Sequence, residues 1–348
     1  MEGFGLSMKK ISRRSLLLAA SSTAFAAEEK LWAVYKGKGK RIVLISGDEE
    51  YRSEEGLPQL GKILSTHHGF HCTVLFAIDP KTNLINPEVS NIPGLEALHS
   101  ADLMIIATRF RELPDEQMRH IDEYVHSGRP IIGLRTATHA FEYKDTSTSQ
   151  FRHYGYRDKT KWPGGFGKQV LGETWITHHG HHAVQSTRGL IAPDEKQNPI
   201  VRGCEDIWGP SDVYTVTKLP SPAQPLILGQ VLEGMKSTDK PIEGDYTIER
   251  QGKKLSKRPN DPMMPIAWTN SFAGRSGKSA RVFTTTMGAA SDLVNEGLRR
   301  LIVNGVYWSL GMEKKIPKRT KVDLVGDFRP TFFGFGKFRR DLKPSDFA

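Results

Sequence analysis

Hydrophobic positions change period along the chain, and the changes mark out alternating strands and helices. Arg41-Ile-Val-Leu-Ile45 is a short continuous apolar run that ends at Ser46-Gly47. That is the pattern of a parallel strand buried on both faces. Leu57, Leu60, Ile63 and Leu64 then fall at helical spacing, with a stop at His68-Gly69. Cys72 to Ala77 predicts a second strand, Leu95 to Leu98 the end of a short helix, and Leu103 to Ala107 a third strand. Pro114 opens a helix with Met118, Ile121 and Val125 inward, stopped at Gly128, and Pro130 to Leu134 reads as a fourth strand. Strand and helix in this alternation predict an α/β fold in three layers, a mainly parallel sheet with helices on both faces.

Periodicity is lost from Tyr143 to Gly180, where aromatic, basic and Gly residues dominate, including Trp162-Pro-Gly-Gly-Phe166. So long an irregular segment inside a compact domain is expected to serve as a lid or pocket wall. Further strands are predicted at Asp212 to Thr217, Pro225 to Val231, Met264 to Thr269 and Arg281 to Thr286, and a last helix at Leu293 to Leu310. Gly234 to Pro262 is polar and predicts a loop or protruding hairpin. The division expected is therefore a leader over 1–26, a linker over 27–40, one domain over 41–312 with long insertions at 143–180 and 234–262, and a basic, aromatic tail over 313–348.

The leader follows from its order of zones. Lys9, Lys10, Arg13 and Arg14 are basic; Ser12-Arg-Arg-Ser-Leu-Leu17 fits a twin-arginine motif; Leu16 to Ala20 is apolar; Ala24-Phe25-Ala26 is a small-x-small cleavage site. Met8 makes a better start than Met1, because the first seven residues add nothing a signal needs. The apolar run is far below the ~20 residues of a membrane-spanning helix, and no later stretch reaches that length. Export by the twin-arginine route to the periplasm or beyond is the expectation, with no transmembrane segment in the mature protein. Of the net charge of +10, residues 1–26 supply +3, leaving +7 spread along the rest. The one dense basic run, Lys253, Lys254, Lys257 and Arg258, sits in the polar loop and is expected to be solvated. No recognition helix or stacking platform accompanies the basic residues, so nucleic acid is not an expected partner. Cys72 and Cys204 are too few for a disulfide scaffold, and no zinc-type cysteine spacing exists.

Ligands of open parallel sheets sit at the carboxyl ends of the strands, and three of those ends carry chemistry. The first strand leads into Asp48-Glu49-Glu50-Tyr51-Arg52, the third into Arg109-Phe110-Arg111, and the fourth into Arg135-Thr136-Ala137-Thr138-His139. Acids on one loop facing arginines on two others can position an acid/base pair or hold a polar ligand. Asp48, Glu50, Arg135 and His139 are the catalytic candidates. Glu49, Arg52, Arg109, Thr136 and Trp162 are the substrate-binding candidates. An ion-pair network over the sheet edge accounts for the same residues, and Arg111 and Glu55 are expected at the surface. If extended, His178-His-Gly-His-His182 puts His179 and His181 on one face, as two metal ligands on a strand. A polar turn accounts for the string equally. No third ligand is set by spacing, so a divalent metal is a candidate and no cofactor is assigned. Phosphate-binding glycine patterns and a Gly-x-Ser-x-Gly elbow are absent.

The ordered set Pro130-Ile-Ile-Gly-Leu-Arg-Thr-Ala-Thr-His-Ala-Phe141, Trp162-Pro-Gly-Gly-Phe166, Asn198-Pro-Ile-Val-Arg-Gly203, Ser211-Asp-Val-Tyr214, Pro265-Ile-Ala-Trp-Thr269 and Arg281-Val-Phe-Thr-Thr-Thr-Met-Gly288 resembles the ThuA-like (trehalose-utilisation) family over roughly 41–311. The resemblance implies a flavodoxin-like, class I glutamine amidotransferase-like fold and a link to sugars, oxidised keto-sugars among them. In glutamine amidotransferases the turn after the fourth strand carries a nucleophilic cysteine; here Arg135 stands in its place, which implies that glutaminase activity is absent. Relatives often carry histidines where this chain has Lys168 or Gln169, Asn198 and Ala289. The expected function is an exported protein that binds or acts on a carbohydrate or keto-sugar derivative. The alternatives are a non-catalytic ligand-binding or scaffold module, and a metal-dependent hydrolase using His178 to His182.

Overall fold

The computed structural model describes residues 1–3, 30–216, 218–250 and 253–348. The expected signal peptide, apart from its first three residues, lies outside the described residues. Strands β1 (Trp32–Tyr35) and β2 (Arg41–Gly47) precede helix α1 (Ser53–His68). Strand β3 (His71–Leu75), a 3₁₀ turn at Leu95–Ser100, β4 (Leu103–Thr108), α2 (Asp115–Val125) and β5 (Ile131–Leu134) follow. Then come β6 (His178–His179), β7 (Thr187–Ile191), β8 (Trp208–Gly209), β9 (Val213–Tyr214) and β10 (Gln224–Val231). The β11 (Tyr246–Arg250) and β12 (Lys253–Lys257) hairpin fills the expected polar insertion. Strands β13 (Met264–Ala273) and β14 (Ser279–Thr285) and helix α3 (Glu296–Ser309) complete the domain.

Among the described residues the main sheet runs β1-β3-β2-β4-β5-β14-β13-β10-β7-β8. Its centre, β3-β2-β4-β5-β14, is parallel. Strands β13, β10, β7 and β8 extend it antiparallel on one flank. Side-chain alternation divides the core. Ile42 and Leu44 face the layer of α1 and α3, whereas Val43 and Ile45 face α2. Each fully buried aliphatic side chain of this kind contributes roughly 1.5–3 kcal/mol, so β2, buried on both faces, anchors the loop that follows it.

Two expectations need correction. The segment expected as linker contains β1, whose Trp32 to Tyr35 pair antiparallel with Leu75 to Cys72. Four residues of mixed Lys/Gly surroundings carry too little pattern to betray an edge strand. The irregular segment after Tyr143 is not wholly a lid: Phe151, Tyr154, Phe166, Val170 and Leu171 pack in the α2 layer, while Tyr143, Lys144 and Thr146 to Ser149 line a cleft. Its buried backbone is tied down by side chains, with Trp268 Nε1 donating to Leu171 O at 2.7 Å. Cys72 and Cys204 are free and buried.

Gly37 lies where a Cβ would come within 2.2 Å of Phe70 O. Gly37→Ala is expected to lower stability by about 1–3 kcal/mol through forced backbone displacement. An unchanged urea midpoint would show that β1 and its turn are not docked.

Candidate functional site

Strand order reverses between β2 and β4, since β3 lies on one side of β2 and β4 and β5 on the other. The crevice at such a switch point is where α/β sheets place ligands, and the loops after β2, β4 and β5 all end there. The loop after β2 is built around Asp48. Its Oδ1 accepts from the backbone N–H of Glu50 (2.8 Å) and Tyr51 (3.0 Å), and its Oδ2 from Thr136 Oγ1 (2.6 Å). Asp48 and Thr136 thus brace two loops together, and both oxygens of the expected acid/base are committed. Arg52, at φ +59°, turns the chain into α1. Its guanidinium donates to the carbonyls of Glu49, Glu50 and Gly334, so it holds backbone rather than a ligand. Arg52 also faces Glu54 at 3.5 Å. Burial pushes the Glu54 carboxyl up to about 8 against that pull.

The loop after β4 answers the acids. Arg109 pairs with Glu49, and Arg111 with Glu49 at 2.9 Å. Arg109 also stands 3.5 Å from Glu50 Oε2. Arg111 is buried, not at the surface, and its Nη1 also donates to Pro87 O and Val89 O. Glu55 is buried too, accepting from Thr331 N–H. The carboxylate partner of Arg111 and the amide partner of Glu55 lie far away in the chain, so the sequence does not mark either as buried.

Arg135 follows β5 at φ +48°, the sharp strand-to-helix turn on which related folds mount a nucleophile. Its guanidinium is sandwiched between Tyr51 (3.9 Å) and Tyr214 (4.4 Å) and is 1% exposed with its residue. Nη1 donates to Asp212 O at 2.5 Å and Thr286 O at 2.7 Å, and Nη2 lies 3.8 Å from Asp212 Oδ1. Arg135 is therefore a buried pillar. His139 is walled by Phe110, Tyr156, Trp175 and Tyr214. Burial, then the charges of Arg109 and Arg135, push its pKa well below the usual histidine range, so it is a neutral core imidazole. Trp162 packs with His126, His153, Tyr154 and Phe272, none of which is a site residue.

The histidine string folds differently from an extended strand. Gly180 at φ +98° and Ala183 at φ +58° bend the chain after β6, so side chains four apart converge instead of those two apart. His178 Nδ1 meets Asp212 Oδ2 at 2.6 Å, and His182 Nδ1 meets Asp212 Oδ1 at 2.7 Å. His182 Nε2 reaches Glu50 Oε1 at 3.2 Å. His179 instead turns away to Pro259 O at 2.6 Å. His181 is held through its backbone N–H by Gln185 Oε1. Asp212 is the residue sequence reasoning missed; it lay inside the Ser211-Asp-Val-Tyr214 match but had no neighbouring partner to mark it. Ser211 fixes its position, bonding the buried Asp292 through N–H (3.2 Å) and Oγ (2.7 Å).

Charge in this network is set by proximity. Burial opposes ionisation of Asp212, but hydrogen bonds from His178 and His182 and the Arg135 charge hold its carboxyl well below the usual range. Burial likewise opposes ionisation of Glu50, and the His182 hydrogen bond with the Arg109 charge outweighs it. For His182, desolvation lowers the pKa, but its two carboxylate partners raise it to about 9. His178, His182 and Asp212 place ligand atoms within 4.8 Å of one another and could accept a cation. Both Nδ1 atoms, however, are spent on hydrogen bonds to Asp212, and His182 Nε2 pairs with Glu50, so a cation there would have to displace these contacts. A surface trio, His99, His120 and Glu123, is also close-set.

The site is covered by the tail and, from the 143–180 segment, by Tyr156, which packs on His139, and Trp175, which packs on His139 and His178. Phe333 packs on Tyr51 and His182. A cleft of about 840 Å³ lined by Phe110, Glu112 and Tyr143 reaches the edge of the site at Phe110, whose ring carries the Arg109 guanidinium at 4.3 Å.

His182 is expected to titrate near 9 in an imidazole NMR titration, and Glu50→Gln to lower that value by about one unit. Because the folded pKa is raised, the stability His182 lends is complete below its unfolded value of ~6.5. It is lost as pH rises through about 9. A wild-type titration near ~6.5 would dissolve the network as described.

Residues 41–309 match the ThuA family, described as trehalose utilisation. A putative ThuA-like protein from Parabacteroides merdae superposes with a TM-score of 0.48 at 15% identity, over 86% of this chain and 98% of that one. A second, from Bacteroides uniformis, gives 0.45 at 14%, over 79% and 92%. An exo-β-1,4-mannosidase from an Opitutaceae bacterium gives 0.31 at 11%, over 79% of this chain and 36% of that one. Comparison with curated protein sequences finds no match. With most of its length matched and the class I glutamine amidotransferase-like sheet in place, the chain belongs to the ThuA family.

Proposed function

We propose that the protein binds a carbohydrate or keto-sugar derivative at the β2–β4 crevice and moves a proton there between Glu50 and His182. The observation that carries this is the buried Asp212 carboxylate holding two imidazoles by Nδ1, at 2.6 and 2.7 Å, while their rings remain 24% and 31% exposed. A carboxylate that fixes tautomer and orientation leaves Nε2 to give or take a proton. A thiolate mechanism has no support here: Cys72 lies within β3, and burial pushes the Cys204 thiol up to about 12.

The second reading, a binding module without chemistry, draws on Asp48, Arg52 and Arg135, whose polar atoms serve the fold. Incubation with trehalose and with an oxidised (keto) derivative of it separates the two. Under the catalytic reading, Glu50→Gln and His182→Ala each reduce turnover about 10²-fold or more, with binding by calorimetry changed less. Binding without product supports the module; binding of neither probe overturns both. Metal content of protein purified from its native host tests the metal-dependent hydrolase.

Export belongs to the same proposal. Replacing Arg13 and Arg14 together by Lys should retain the chain in the cytoplasm on cell fractionation. Unchanged distribution would remove the twin-arginine route.

A further inference from the structure

Beyond residue 309, where the family match ends, the chain returns to the site and is fastened to it. Thr331 N–H donates to Glu55 Oε2 at 2.8 Å, Gly334 N–H donates to Glu50 O at 2.8 Å, and Gly334 O accepts from Arg52. Each of these anchors is on the loop that carries Glu50 or on the first turn of α1. Phe333, 2% exposed, fills the space between Tyr51 (5.5 Å) and His182 (5.4 Å).

Its neighbours behave in the opposite way. Phe332 stacks on Phe333 at 4.3 Å yet is 44% exposed, and Phe335 is 60% exposed with the Arg109 guanidinium 5.0 Å from its ring. Among the described residues few large apolar side chains are this exposed. Two others, Ile176 and Val184, lie two residues from His178 and His182. Exposed rings gathered beside a charged site mark a binding surface rather than scattered surface apolarity.

We infer that the segment Thr331 to Phe335 completes the binding site, and that Phe332 and Phe335 form the stacking surface for the apolar face of a sugar ring. This rests on the carbohydrate reading above and adds a subsite to it. A pyranose presents a flat C–H face and a rim of hydroxyls. Phe335 beside Arg109, which itself stands 3.5 Å from Glu50, offers an aromatic plane to the first and charged hydrogen-bonding groups to the second. A wholly apolar ligand would leave the Arg109 and Glu50 charges desolvated without compensation.

The test uses the full chain and has two arms. In hydrogen–deuterium exchange without ligand, amides 331–335 should exchange at least tenfold more slowly than an unstructured peptide, since Gly334 N–H is bonded to Glu50 O. In calorimetry with trehalose and an oxidised (keto) derivative of it, Phe335→Ala and Phe332→Ala should weaken binding at least fivefold, and Phe335→Trp should retain it. Both rings are exposed, so neither alanine variant endangers the fold. If wild type binds a probe and both alanine variants bind as tightly, the subsite is overturned while the carbohydrate reading stands. If wild type binds neither probe, that reading fails, and the stacking subsite falls with it. Unprotected exchange at 331–335 overturns the strap itself, whatever the binding result.

Discussion

A single buried charge organises the functional end of this protein. Arg135 sits at a left-handed turn directly after a core strand, 1% exposed, where an unpaired guanidinium would cost several kcal/mol. The structure offsets much of that cost. Tyr51 and Tyr214 cover its two faces, and backbone carbonyls of Asp212 and Thr286 take one terminal nitrogen. The Asp212 carboxylate balances its sign. The same turn in related folds exposes a nucleophile. Here the turn is kept and its occupant is a structural cation.

The rest of the site follows from this pairing. Asp212 must stay ionised beside Arg135, and an ionised carboxylate so deeply buried needs further donors. His178 and His182 supply them, which draws the bent histidine segment onto the sheet edge. His182 then meets Glu50, which is positioned by a loop braced through Asp48, Thr136 and Arg52. Asp48, Arg135 and His139, which look catalytic in the sequence, thus become supports, while Glu50 keeps a partly exposed imidazole as its partner. The tail closes the arrangement, with Phe333 against both Tyr51 and His182.

Much of the fold was legible because its signals are local. Continuous apolar runs marked β2, β4 and β5, helical spacing marked α1 and α3, and Pro114 marked the start of α2. The loops at the carboxyl ends of the parallel strands were expected to come together, and Glu50, Arg109 and Arg135 do converge there. The mistaken assignments share one cause. His179 and His181 were paired by assuming an extended chain, but glycine at φ +98° ends the strand after His179. Arg111 and Glu55 were placed at the surface because their partners are remote in sequence.

The sequence by itself determined the layers, the order of the parallel strands' loops and the absence of a cysteine at the elbow, because each depends on periodicity or on residues adjacent in the chain. Only the tertiary structure decided which ionisable groups pair with one another. Asp212 joins His178 and His182 across 34 and 30 residues, and the tail reaches Arg52 across 282. Charge pairing in a buried site is satisfied by whatever the fold brings within about 3 Å, and no local pattern encodes that distance.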